Sequence, residues 1–237
     1  MAPVPSYRKM EAEAALPSRR SILLCVLLGA LILGLVGGWL GWWNFSSLRQ
    51  PAEAPRMTID KQPVRFTNRI FDPARPPADM PPLTFGEEAQ CDSNFLSSAS
   101  VAGEARQTDA VHATVTITQI KMTLQLNITI WLPVSVTQHV IEHEEGHRQI
   151  SEHYYETADK LAERIAATYL GKEVVITGAD LHAELTKLLQ QMGAEITAEY
   201  NRQLDPQPAQ LRYDALTDHS RNGVLAKDAV AQALRTS

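Results

Sequence analysis

Basic residues are in short supply. The 237-residue chain has 22 lysines and arginines against 27 acidic side chains, a net charge of −5. A nucleic-acid binder ordinarily shows a basic face, so this balance argues against one. Cysteine is scarcer still. Cys25 lies inside an uncharged apolar run and Cys91 stands alone after it, which excludes an intramolecular disulfide in the rest of the chain. No internal repeat is present, which argues against stacked-repeat architectures. With 44% apolar residues, the chain suffices for one globular domain of ordinary size plus appendages.

The apolar run is the first appendage. Residues 21–43, SILLCVLLGALILGLVGGWLGWW, carry no charge. About 20 apolar residues cross the hydrocarbon core of a bilayer. Arg19 and Arg20 precede the run, and Trp39, Trp42 and Trp43 close it at a position suited to the membrane–water interface. The run is longer than the apolar part of a signal peptide, and no small-residue cleavage site follows it. It reads as an uncleaved signal anchor, the competing reading being a cleaved signal peptide. Arg8, Lys9, Arg19 and Arg20 lie before the span, and only Arg49 follows it before Arg56. The positive-inside rule then leaves residues 1–20 in the cytoplasm. In a bacterium this makes a single-pass inner-membrane protein with a periplasmic C-terminal domain.

Residues 51–82 hold eight of the fourteen prolines. Such composition favours a semi-rigid, extended spacer, so a linker is expected over 44–82, with a short strand near Val64 to Phe71, and a domain over 83–237. The run VHATVTITQIKMTLQLNITIWLP then alternates apolar and polar residues, breaks phase near Gln119, and resumes. Period-2 alternation means a sheet with one buried face. Two antiparallel strands joined by a short turn are expected.

Helix follows over about residues 136–170, which lack proline and end at Gly171. It contains HVIEHEEGHRQISEH, with His139, His143, His147 and His153 among four glutamates. At about 100° per residue, the four histidines fall within an arc of about 120°. That arc is continuous with the apolar stripe through Tyr154, Ala158, Leu161 and Ile165, so the histidines face the core and not solvent. A second helix is expected from about Ala179 to Leu204, ended by Pro206 and Pro208, and a third over Val224 to Leu234. Glu199 falls in the apolar stripe of the second, where a carboxylate needs a partner.

Two imidazoles four residues apart on a helix can share one ion. His143-Glu144-x-x-His147 is an HExxH pattern, in which Glu144 reaches the attacking water as general base. His139-x-x-Glu142-His143 is the inverted form, HxxEH. Spacing alone does not choose between them. Strand followed by histidine helix is also the order in which zinc-dependent peptidases present an extended substrate. The competing structural reading is a set of buried, hydrogen-bonded core histidines. His153 lies about 9 Å along the axis from His147, too far to share the ion.

HEEGHRQI, the preceding TIWLP and the later YDALTDHSRN together resemble a bacterial family of exported proteins, the domain of unknown function 922 family. The likeness covers roughly residues 60–235. Tyr213, Asp214, Thr217 and His219 match the family's second motif, while Ser220 stands where that motif has glycine. The resemblance implies a zincin-like fold, His143 and His147 as metal ligands, Glu144 as base, and His219 as third ligand. His139 is then a neighbour of the centre. Asp214 would orient His219 by accepting its second N–H. The residue-level rival for third ligand is Glu199, a carboxylate on the following helix.

The expectation is an α+β domain, a small antiparallel sheet followed by a helical HExxH subdomain, behind a transmembrane helix. Its expected function is that of an extracytoplasmic hydrolase with one zinc ion, cleaving protein or peptide substrates of the envelope. The alternative is an anchored scaffold whose metal is structural.

Overall fold

One strand organises the domain. In the computed structural model, which describes residues 55–83 and 86–235, β4 runs unbroken from His112–Pro133. Val115, Ile117, Ile120, Met122, Leu124, Leu126, Ile128 and Ile130 are buried along it. The polar residues between them face the opposite side, so the sheet is apolar on one face only. Burying one such aliphatic side chain is worth about 1.5–3 kcal/mol.

β3, Gln90–Gln107, pairs antiparallel with β4 along one edge. The other edge is shared end to end by three shorter strands. β5, Glu173–Thr177, pairs antiparallel with its start, while β1, Arg56–Lys61, and β2, Arg65–Phe71, pair parallel with its middle and end. The sheet is therefore five-stranded and mixed, not the small antiparallel sheet expected. The phase break near Gln119 is not a turn either. Gly103 pairs with Ile117 and Ala102 with Gln119, which leaves Thr118 without a partner in β3. This is a β-bulge: one extra residue shifts the alternation by one and the strand continues. A turn and a bulge leave the same mark on the hydrophobic pattern, and only pairing separates them.

The proline-rich stretch also departs from expectation. Strand over 65–71 is present as anticipated, but β1 and β2 both lie inside the expected 44–82 linker and belong to the sheet. The domain therefore begins before residue 83.

Five helices complete the described chain. α1, Gln138–Glu156, starts at Thr137, whose side chain accepts from the Val140 N–H. The helix expected over 136–170 is interrupted at Thr157 (φ −104, ψ 9), and α2, Ala158–Ala167, follows it and packs against β1. Gly171, at φ 79, provides the left-handed residue near the end of this segment. α3, Leu181–Gln203, is capped by Asp180 and lies against β3 so closely that a Cβ on Gly193 would meet the Ala99 carbonyl. Pro206 and Pro208 follow α3 as expected, but they also open a helix that the pattern did not reveal, α4, Gln207–Thr217. Proline suits a first helical turn because its missing N–H would be unpaired there anyway. α5, Ala226–Arg235, matches the expected third helix.

Two apolar clusters result. The larger joins the inner sheet face to α2 and α3. The smaller joins Ile150 of α1 to Ala209 and Tyr213 of α4 and to Ala229, Val230 and Ala233 of α5. All ten elements lie within one unit, Glu53–Ser237. No helix among the described residues is long and apolar enough to cross a membrane, and the expected cytoplasmic tail and anchor, residues 1–43, lie outside the described residues.

Candidate metal centre

α1 presents His143 and His147 one turn apart, as the i,i+4 spacing requires. Their Nε2 atoms are 3.2 Å apart and the rings stand at 90°. Asp214, on α4, brings its Oδ1 to 2.9 Å from His147 Nε2 and 3.5 Å from His143 Nε2. These three atoms converge closely enough to hold one metal ion. Two ligand atoms on a tetrahedral zinc, each about 2.05 Å from it, are about 3.3 Å apart. The three observed separations bracket that value. The Asp214 Oδ1 is buried and makes no hydrogen bond of acceptable geometry. A buried, unsatisfied carboxylate oxygen facing two imidazole nitrogens is a donor set that a cation completes.

α4 supplies more than the carboxylate. Gln210, Tyr213, Asp214 and Thr217, at i, i+3, i+4 and i+7, form one stripe against α1. Gln210 Oε1 lies 2.6 Å from His147 Nδ1, and Thr217 Oγ1 lies 3.3 Å from His143 Nδ1. The Tyr213 hydroxyl donates to the His143 carbonyl at 3.0 Å, and its ring stacks on the His143 ring at 5.0 Å. The phenol lies directly over Gly146, where a Cβ would overlap it. That contact is the reason HEEGH has glycine before its second histidine.

Glu144 is 4% exposed and lines the same cleft, of about 230 Å³, as His143, His147 and Asp214. Burial pushes its carboxyl up to about 7, helped by the Glu87 and Asp214 carboxylates and opposed by His147 and a Cys91 backbone hydrogen bond. Glu142, by contrast, is exposed and accepts from the Gln138 side chain at 3.0 Å. The carboxylate of the HExxH pattern is thus in the cleft, and that of the HxxEH pattern is not. Burial lowers the His143 imidazole, with the Asp214 carboxylate opposing. Burial also pulls on His147, but there the Asp214 carboxylate prevails and the ring is raised. Asp214 itself, despite burial, is held well below the usual carboxylate range by the two histidines.

The other expected site residues fall elsewhere. His219 is 37% exposed, with its Nδ1 3.5 Å from Glu87 Oε1 and 3.9 Å from Asp214 Oδ1. It borders the group without joining it, and the Asp214 carboxylate stands with the two histidines where His219 was expected. Asp218, His219 and Ser220 are all left-handed, at φ 48, 51 and 63. The last of these is a conformation at which glycine is at ease, where this chain has serine. Glu199 is paired within its own helix to Arg202 and Gln203 and lines a surface cleft with Arg164, apart from the histidines. These neighbours on its own helix are the partners its place in the stripe called for. His139 is outside the group, its Nε2 buried without a hydrogen bond. His153 is half exposed beside Glu156. Gln210 was not singled out from sequence. The available signal was the helical spacing of Gln210, Tyr213, Asp214 and Thr217 behind a proline helix start.

No family model matches the chain. No curated protein matches it, and no solved structure does.

Proposed function

We propose that this protein is a membrane-anchored, extracytoplasmic zinc-dependent hydrolase, a peptidase acting on envelope proteins or peptides. The observation that carries this reading is the position of Glu144: a buried carboxyl in the cleft onto which His143, His147 and Asp214 converge. The three residues would hold the metal. A zinc ion held there would supply acidified water and a polarised scissile carbonyl. Glu144, buried in the same cleft, would take a proton from the attacking water and deliver it to the leaving amine. The polar cleft wall formed by Gln90 and Ser93 at the start of β3 suits the backbone of an extended peptide.

The uncharged run 21–43, with its arginines before and tryptophans after, supports the anchor and the periplasmic placement of the domain. A second reading, an anchored scaffold with a structural metal, rests on His219. Its Nδ1 is buried and unbonded 3.9 Å from Asp214, and a fourth protein ligand would close the site.

The test is metal analysis of the full-length chain with three variants. The wild type should hold about one zinc per chain, the number for a single three-donor site. Glu144→Gln should keep the zinc and lose cleavage of a quenched fluorescent peptide library. Asp214→Ala should weaken zinc by more than about 100-fold, beyond the effect of an outer partner. His219→Ala should leave zinc bound, whereas its loss would favour the scaffold. A wild-type chain without zinc affinity ends both readings. A reporter active only outside the cytoplasm, fused after Ser237, should be active.

A further inference from the structure

Two members of the α4 stripe aim at the ring nitrogens that point away from the metal group. Their proton positions follow by elimination. The Gln210 amide nitrogen lies 3.1 Å from the His147 carbonyl oxygen and 3.0 Å from Ser151 Oγ. A carbonyl oxygen only accepts, so that end of the amide must be the NH2. The other end is then an oxygen, an obligate acceptor, and it lies 2.6 Å from His147 Nδ1. His147 Nδ1 must therefore carry a proton, so the ring in its neutral form has its lone pair on Nε2. The Ser151 hydroxyl that accepts from Gln210 has its own acceptors, Ser93 Oγ at 2.8 Å and the His147 carbonyl at 3.1 Å.

At His143 the partner is a hydroxyl, and its shorter contact to a carbonyl favours the same arrangement. The Thr217 hydroxyl proton has the Tyr213 carbonyl at 2.9 Å as acceptor. Its oxygen is then free to accept from His143 Nδ1 at 3.3 Å. Both imidazoles are thereby held as the Nδ1–H tautomer, with their Nε2 lone pairs turned to Asp214 Oδ1. Three electron-rich atoms facing one point repel each other until a cation lies between them.

We infer that Gln210 is the positioning residue of this centre: by keeping the proton of His147 on Nδ1, it delivers the Nε2 lone pair to the metal. Thr217 does the same for His143 through a longer contact. The chain Gln210–Ser151–Ser93 extends this control to β3, so that the ring is fixed from α4 on one side and from the strand lining the cleft on the other. A metal-ligating histidine whose outer nitrogen loses its acceptor ordinarily binds metal about 10–100-fold more weakly. The inference rests on the reading of His143, His147 and Asp214 as a metal site.

The experiment uses the full-length chain in detergent, with zinc affinity measured by chelator competition. Imidazole 15N spectra of the metal-free protein are recorded at about pH 9, above the ordinary histidine range. Wild type should show His147 as the Nδ1–H tautomer. Gln210→Met, close in size but without the acceptor, should shift His147 toward the Nε2–H form and weaken zinc by about 10–100-fold. Ser151→Ala should shift the same equilibrium less, since it removes only one of the two acceptors that orient the Gln210 amide. A wild-type His147 found as Nε2–H overturns the inference whatever the variants do. So does an unchanged zinc affinity in a folded Gln210→Met protein. Absence of zinc affinity in the wild type instead defeats the metal reading itself, so the two failures are distinct.

Discussion

Leu124 and Tyr213 are both fully buried, but different neighbours bury them. Leu124 lies on β4 among aliphatic side chains from the sheet, α2 and α3, in the larger cluster. Tyr213 lies on α4 against Gly146, among alanines of α4 and α5, in a cluster of six buried residues. Small residues let helices approach closely but bury little apolar area each, so the second region gains less from burial. It is held instead by polar contacts to the histidine helix: Gln210 to His147, Tyr213 to the His143 carbonyl, Thr217 to His143. The scaffold is thus stabilised by its core, and the cap is stabilised largely by the site it completes. A residue that disturbs the first should unfold the domain, and one that disturbs the second should empty the site.

The sharpest separation comes from Leu124→Ala. Removing a fully buried aliphatic side chain in a strand bounded on both edges should lower stability by about 2–5 kcal/mol. Chemical denaturation should show this loss, while the fraction that remains folded binds zinc like the wild type. Weakened zinc binding in the folded fraction would mean that core and cap are one cooperative unit. Gly146→Ala comes next. The added methyl overlaps the Tyr213 phenol, and such overpacking costs about 1–3 kcal/mol. Because α4 must yield, Asp214 and Gln210 move with it. The expected signature is a stability loss smaller than that of Leu124→Ala together with a larger loss of zinc affinity. Retention of zinc would break the proposed dependence of the site on the cap. The smallest effect belongs to Glu199→Ala. Among the described residues that carboxylate is tied to neighbours on its own helix, so the thermal midpoint and the zinc affinity should both stay within measurement error.

The two regions also differ in how far they can be read from sequence. Ile120, Met122, Leu124 and Leu126 alternate with polar neighbours, and that alternation states their burial outright. The bulge at Thr118 hid in the same pattern, because a phase slip of one residue does not say whether the strand turns or continues. The strand Arg56–Lys61 was masked by the prolines around it: it lies on one edge of the sheet and is exposed or half-buried throughout, so it shows no run of buried alternate residues, whereas the strand over Arg65–Phe71 was anticipated. In α4 the buried apolar residues are Ala209 and Tyr213, with Leu216 partly buried against the same cluster, too little to mark a helix. Yet that helix carries Asp214 and Gln210.

By itself the chain determined that His143 and His147 share a helix face with Glu144 between them, because α-helical geometry places residues four apart on one side whatever surrounds them. It likewise determined the one-sided face of β4. The third donor was decided only in the folded domain. His219 and Asp214 are five residues apart in the same motif, and either could approach the histidines from a loop. α4 continues through Asp214 to Thr217, and the chain then turns left-handed at Asp218, His219 and Ser220. A helix aims its side chains by its docking, and α4 docks through Tyr213 on Gly146. That contact points Asp214 into the group and leaves His219 at its border.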